Sequence, residues 1–398
     1  MERKVIQVEE RPPLLLNIPL SIQHLFAMFG ATVLVPFLFN VNPTTCLFMN
    51  GIGTLLYLFL TKGKIPSYLG SSFAFISPVM VILSTSSYSD AQSGFIVFGL
   101  IFILFSLIIK YTGTGWIDII FPPACMGAII AVIGLELAPT AAGMAGLTGD
   151  VIDFRNIAVS MFTLAVTIIG SVAFKGFMAI IPILFGVICG YIFSFFMGLV
   201  DLAPVAAAPW FQMPHFYQPT FNLNAILIIA PAALVVLAEH IGHLVVTGNV
   251  VERNLIKDPG LARSLFADGC SNVLSGFFGA TPNTTYGENT ALLAITKNYD
   301  PRVLELTAVF AIVLSCVGKF GGFLQSIPQA VMGGISIYLF SMITYVGVKS
   351  IKDSKCYEGN IKNVIIMATV LIIGLGTSYL STFAGIEIGI PLSQTSSL

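Results

Sequence analysis

Apolar residues run through this chain in long stretches, among them Ile18–Phe39, Phe95–Ile109, Ile157–Phe174 and Ala225–Leu237. A helix of about 20 such residues spans the hydrocarbon of a bilayer. On that measure helices are predicted near residues 15–39, 44–61, 93–110, 115–138, 156–174, 176–200, 224–247, 261–279, 302–318, 328–347 and 361–384. Two further segments break the pattern. Residues 66–84 open on Pro66-Ser67-Tyr68-Leu69-Gly70-Ser71-Ser72-Phe73 before turning apolar. Residues 281–296 open on Thr281-Pro282-Asn283-Thr284-Thr285-Tyr286-Gly287-Glu288-Asn289 and leave only a short helical remainder. Each unsatisfied backbone group in lipid costs several kcal/mol, so a polar break at membrane depth is expected to line a site.

Charge decides whether the broken segments cross. Counting both gives 13 spans, and with the N-terminus inside, every one of the 18 Lys and Arg except Arg155 and Lys319 then falls on the cytoplasmic side. Dropping either segment would invert every later loop and destroy this positive-inside asymmetry. Both are therefore expected to cross, as the third and the tenth spans. They occupy the same place in two units of seven, and an odd unit enters the second time from the other side, as an inverted repeat does. Short, Gly/Pro-interrupted segments at matching places in two halves point to a transporter's binding site. A seven-plus-seven plan needs 14 spans, whereas only Ala384–Leu398 follows the thirteenth, so the last span is expected to be missing.

Composition agrees with an all-α polytopic membrane protein. The chain is 56% hydrophobic and 9% charged, against roughly 25% charged in soluble domains. No stretch is left over for a soluble domain, and no nucleic-acid partner is expected. The N-terminus (Glu2, Arg3, Lys4, Glu9, Glu10, Arg11) has no small-residue cleavage site after a short apolar run and reads as a cytoplasmic tail rather than a signal peptide. The six Cys are scattered without a CxxC pair and read as free thiols.

The acids at membrane depth are Glu136, Glu239 and Glu288, with Asp268 and Glu305 near helix ends. In Ala238-Glu239-His240-Ile241-Gly242-His243, Glu239 and His243 are four apart and share a helix face, while His240 points about 100° away. A carboxyl and an imidazole in contact can hand a proton between them. Glu-His-x-x-His reverses the zinc order and has no third ligand at a telling spacing, so no metal is expected. His24, early in the first span, reads as a capped interfacial histidine. Glu288 opens a helix whose free N–H groups and positive dipole end can hold a carbonyl oxygen. The break at Ser71-Ser72-Phe73 offers similar donors, and the two extended segments can pair with each other. Backbone N–H donors, one or two carboxylate acceptors and rings at Phe73 and Tyr286 suit a flat, neutral heterocycle with N–H and C=O on its edge. An anion channel would want a basic residue at this depth, and none is present. An intramembrane hydrolase would want a nucleophile–base pair or a metal triad, and both are lacking.

Five stretches together resemble the nucleobase–ascorbate transporter family: Arg11-Pro12-Pro13-Leu14, residues 23–36 from Gln23-His24-Leu25-Phe26, Tyr68-Leu69-Gly70-Ser71-Ser72-Phe73-Ala74-Phe75, the Glu239 motif and the Glu288 motif. The similarity runs from about residue 3 to about 375. It implies a proton-coupled uracil symporter of the bacterial cytoplasmic membrane, with no cofactor and the proton as coupling ion. The alternative within the same fold is a transporter of a purine or xanthine-type base. It also implies a core domain of spans 1–4 and 8–11 (residues 1–110 and 224–318). The gate domain would hold spans 5–7 and the last spans (115–200 and 328–398), with a homodimer through the gate. In such proteins short antiparallel strands break spans 3 and 10 and meet at the substrate. By that match Glu239 and Glu288 would accept the uracil N–H groups, and the backbone N–H groups of Phe73 and Gly287 would meet its carbonyls. Tyr286 would pack on the ring, and His243 would take part in proton coupling through Ser72. The chain departs from the family pattern at Ala291, where a glycine is expected and the extra methyl should tighten helix packing. At Phe340 a gate-domain Tyr near the substrate is expected.

Overall fold

The computed structural model describes residues 5–116, 123–148, 152–353 and 361–384. Among the described residues eighteen α-helices follow in chain order: α1 (Leu14–Ala27), α2 (Phe29–Leu38), α3 (Pro43–Leu60), α4 (Ile76–Thr85), α5 (Tyr88–Thr112), α6 (Pro123–Glu136), α7 (Ala138–Met144), α8 (Phe154–Ala173), α9 (Pro182–Phe196), α10 (Ala203–Ala207), α11 (Leu223–Ile229), α12 (Ala232–Val250), α13 (Leu261–Phe278), α14 (Gly287–Thr296), α15 (Arg302–Ser315), α16 (Gly318–Gln325), α17 (Gln329–Asp353) and α18 (Ile361–Ala384). Two three-residue strands, β1 (Leu69–Ser71) and β2 (Asn283–Thr285), complete the fold. Among the described residues seven helical stretches are long and apolar enough to cross a membrane, and shorter apolar helices lie at Phe73–Thr85, Pro182–Phe196 and Ile361–Gly376. The protein is a multi-pass membrane protein. The span expected to be missing concerns residues after Ala384, outside the described residues.

Helix boundaries moved where local chemistry overrode hydropathy. The helix expected from residue 93 starts at Tyr88, because Ser87 and Asp90 form a capping box that satisfies the first-turn N–H groups. The helix expected over 224–247 divides at Ala230–Pro231 into α11 and α12, since proline lacks the N–H that would continue it. The one expected over 15–39 steps at Met28 between α1 and α2. Asn42 caps α3 by accepting from the Thr44 N–H at 3.0 Å.

The helices pack in two sets. In one, α13 lies along α5 and α3, α15 lies along α3 and α1, and α11 joins α5. In the other, α6 and α8 lie along α17, α9 pairs with α8, and α18 covers α6. Small residues allow the closest crossing in the first set. A Cβ on Gly99 would sit 2.6 Å from the Val273 nitrogen and 2.7 Å from the Gly269 carbonyl oxygen, so α5 and α13 touch backbone to backbone.

The N-terminal residues strap one end of the first set. Ile6 exchanges hydrogen bonds with Lys297 O and Tyr299 N, both 2.9 Å, and Val8 is buried. Arg11 and Asn17 each donate to the buried Asp300 carboxylate at 3.0 Å. Glu9 is clasped by both terminal nitrogens of Arg253. The Arg253 guanidinium holds the Glu9 carboxyl below the usual carboxylate range. A lowered carboxyl stabilises the docked strap above its unfolded pKa, and that contribution disappears as pH falls through the lowered value. The pair is surface-exposed, so its worth is below about 1 kcal/mol and screened by salt. Acidification below the normal carboxylate range, or Glu9→Gln, is expected to speed proteolysis of residues 5–13 modestly. An unchanged cleavage rate would show that the Asp300 contacts and the Ile6 backbone bonds hold the strap without the Glu9 pair.

Candidate functional site

The two broken segments meet. β1 and β2 pair antiparallel with Leu69 opposite Thr285, Gly70 opposite Thr284 and Ser71 opposite Asn283. Such a ribbon leaves two edges unpaired, and in a membrane interior water is not there to satisfy them. Side chains of the flanking helices do so. Thr54 on α3 accepts from the Leu69 N–H at 2.9 Å. Asn272 on α13 accepts from the Asn283 N–H at 2.6 Å and donates to its carbonyl at 3.1 Å. Ser71 and Thr281 share a hydroxyl hydrogen bond of 2.6 Å.

Past the ribbon the chain turns helical at both ends. Ser72 caps the short 3-10 turn Phe73–Phe75 that leads into α4, and Tyr286 stands at the N-terminal cap of α14, with Glu288 in its first turn. The N-terminal N–H groups of two short helices are thus brought beside α12, which supplies Glu239 and His243. Ser72 Oγ lies 3.5 Å from Glu239 Oε2, a long contact. Glu288 and Asp268 both lie within electrostatic reach of Glu239, so a proton on one relieves repulsion on the others. Phe73, Glu239, His243, Gly287 and Glu288 are half-buried, whereas Ser71, Ser72, His240, Thr285, Tyr286 and Asn289 around them are buried. The open side of the site therefore runs along the first group.

Several expected residues sit differently from the sequence reading. His243 Nδ1 bonds to Thr285 Oγ1 at 3.1 Å, and the direct Glu239–His243 contact expected from their spacing is not made. The strand β2, invisible to helix periodicity, takes the imidazole instead, and His243 Nε2 lies 3.5 Å from where a Cβ on Gly287 would be. Tyr286 is 4% exposed. Its ring lies on Gly70 and its hydroxyl donates to Ser71 O at 3.1 Å, so it braces the ribbon. Phe340 is buried on α17, its carbonyl against Gly134 of α6. His24, expected at an interface, is buried and meets the Asn289 amide at 3.0 Å. Ala291 is exposed on α14, so its methyl tightens no helix contact.

A buried network behind Glu239 was not foreseen. His240 Nδ1 lies 2.8 Å from Asp268 Oδ2, both side chains fully buried, and its Nε2 shares a 2.7 Å hydrogen bond with Ser264 Oγ. Ser264 in turn meets the Tyr57 hydroxyl at 2.7 Å, and Asp268 accepts from Asn272 Nδ2 at 3.0 Å. Through Asn272 the network reaches β2. The carboxyl and the amide on the Ala267–Gly276 stretch, Asp268 and Asn272, are four apart on one face, which is the signal the sequence offers.

The site's chemistry is that of a polar cradle without a cation: carboxyl acceptors on two helices, an imidazole, and N–H donors at two helix starts. Comparison with known proteins accords with this. The sequence profile of the permease family matches residues 16–383. The chain is 58% identical over 378 residues to a uracil permease of Escherichia coli (strain K12), covering 94% of this chain and 88% of that protein. It is 57% identical over 381 residues to a uracil permease of Paenibacillus larvae, covering 94% and 90%. Its fold is similar to the transmembrane domain of a cyanobacterial bicarbonate transporter, BicA, with a TM-score of 0.67 at 15% identity over 93% of this chain and 97% of that one. At that identity the likeness concerns the fold alone. The chain belongs to this permease family, the nucleobase–ascorbate transporters, and is a transporter rather than an enzyme.

Proposed function

We propose that this protein is a proton-coupled symporter that imports uracil across the bacterial cytoplasmic membrane by alternating access. The observation that carries the reading is the convergence of Glu239, Glu288 and two helix N-termini on one ribbon, with no lysine or arginine among them. Uracil is flat and neutral, with two N–H donors and two carbonyls. Glu239 and Glu288 accept its N–H groups, and the backbone N–H groups of Phe73 and Gly287 donate to its carbonyls. Tyr286 holds the ribbon against the ring, and Phe340 closes the site from the gate. The proton resides on Glu239, passes by way of Ser72 and His243, and is felt by Glu288; no other cofactor is needed.

In this reading the α3/α5/α13 set is the core and the α6/α8/α17 set is the gate, arranged as an inverted seven-plus-seven repeat. The N-terminus is cytoplasmic, and the gate's lipid-facing side forms a homodimer. The core moves against the gate, so access alternates around a fixed site. Uptake of labelled uracil into proteoliposomes, with and without a protonophore, tests this. Accumulation that collapses with the protonophore is expected, and accumulation indifferent to it would refute the coupling. Competition by xanthine and hypoxanthine is expected to fail; competition at concentrations comparable to uracil would move the assignment to purines.

A further inference from the structure

A third carboxyl at membrane depth has no part in the site described. Glu136, at the end of α6, is 4% exposed, and its one polar partner among the described residues is the Ser77 hydroxyl. Ser77, on α4, is itself buried, and its hydroxyl has no other partner among the described residues. The two belong to different helix sets, because α4 packs with α5 and α11 while α6 packs with α17 and α18. Glu136 therefore faces the seam between the sets.

The faces of α6 make this specific. Gly127 and Gly134 share one face and carry α17: a Cβ there would meet Gly347 O at 2.9 Å and Phe340 O at 2.6 Å. Glu136, two residues past Gly134, points about 200° round the helix from that contact. The ionisable groups of α17 with described side chains, Tyr338, Tyr345, Lys349 and Lys352, lie on the helix that packs on the glycine face. On the described side chains of α18 the ionisable group is Lys362 at its start, while Gly374, near the other end, packs on Val132 one turn before Glu136. α4 and α7 carry none. α12, which touches α6, brings Glu239, His240 and His243, of which His240 is already committed to Asp268. Among the described residues no cation is placed to balance a charge on Glu136, and a buried carboxylate with a single hydroxyl as partner is costly without one.

We propose that Glu136 is a second proton-binding residue of the carrier, on the gate side of the seam, which keeps its proton while packed against Ser77 and releases it to water when the core moves and the seam opens. This rests on the alternating-access reading above and adds a proton site to it. The conformation seen here is then favoured at low pH and loses population as pH rises. Its dependence on pH comes from the seam, separate from the proton on Glu239.

Exchange of labelled for unlabelled uracil across vesicles containing the full chain needs no net proton flux, and its rate follows the balance between conformations. One linked proton changes that balance by up to about tenfold per pH unit. Between about pH 5 and pH 8, Glu136→Gln is expected to bind uracil like the wild type and to lose the part of the exchange response that Glu239→Gln retains. An exchange profile identical to the wild type would overturn the proposal, and so would loss of uracil binding by a folded Glu136→Gln protein. If that variant does not fold, Ser77→Ala serves: a displaced pH midpoint with binding kept supports the proposal, and an unmoved midpoint refutes it. Protonophore-sensitive accumulation by the wild type tests the symport reading on its own. Should that fail while Glu136→Gln still flattens the exchange profile, the coupling falls and the Glu136 site stands.

Discussion

Glu239→Gln is expected to exchange uracil across the membrane and to fail to accumulate it. The amide has the size of the acid, and its carbonyl still accepts one N–H of the substrate. What it loses is the difference between a charge-assisted and a neutral hydrogen bond, about 1 kcal/mol, so affinity should fall by no more than about tenfold. What it cannot do is take up and release a proton. Accumulation in proteoliposomes under an imposed pH gradient should drop to the level reached by exchange alone. If the variant still concentrates uracil in response to the gradient, Glu239 is not the coupling residue.

Much of this arrangement is legible in the linear chain, and the residues show why. The polar breaks at Tyr68–Phe73 and Thr281–Asn289 stand out because polar, glycine- and proline-bearing backbone has no reason to lie between apolar runs unless protein satisfies it. That the two breaks can pair follows from the backbone groups each leaves unsatisfied, whereas the meeting of Glu239 and Glu288 at one substrate is implied by the family resemblance. What satisfies the ribbon is another matter. Asn272 sits 11 residues from Asn283, but its hydrogen bonds to both backbone atoms of that strand residue depend on how α13 lies under β2. The His240–Asp268 pair joins α12 and α13 side by side, and no spacing along one helix encodes it. His243 illustrates the same limit: the four-residue rule placed it with Glu239, whereas tertiary packing offered it Thr285. Helix ends follow the same division. Ser87 and Asp90 write their capping box within four consecutive residues, but an apolar-run criterion passes over it.

Gly70→Ala should be the most damaging single-methyl change in the site. A Cβ at Gly70 would lie 2.3 Å from Cζ, 2.5 Å from Cε2 and 2.7 Å from the hydroxyl oxygen of Tyr286. These are atoms of a rigid, buried ring, held at one end by the Tyr286 N–H to Tyr68 O bond of 2.9 Å and at the other by the hydroxyl to Ser71 O. The ring cannot swing away without breaking one of these bonds, so the strands must separate instead. Overpacking of this kind costs about 1–3 kcal/mol, and it falls on the ribbon that sets the positions of Phe73 and Gly287. Gly70→Ala is therefore expected to lower the thermal midpoint of the purified protein and to weaken uracil binding by more than tenfold. The double change Gly70→Ala with Tyr286→Leu separates the two causes. Removing the ring's far end makes room for the methyl, so the midpoint should recover beyond the sum of the single effects, as coupled neighbours do. Binding should stay weak, because Tyr286 also braces the strand that leads into α14, where Gly287 and Glu288 stand. Additive losses in stability would mean that the ring and Gly70 do not press on each other, and that the ribbon is held by the Asn272 and Thr54 contacts alone.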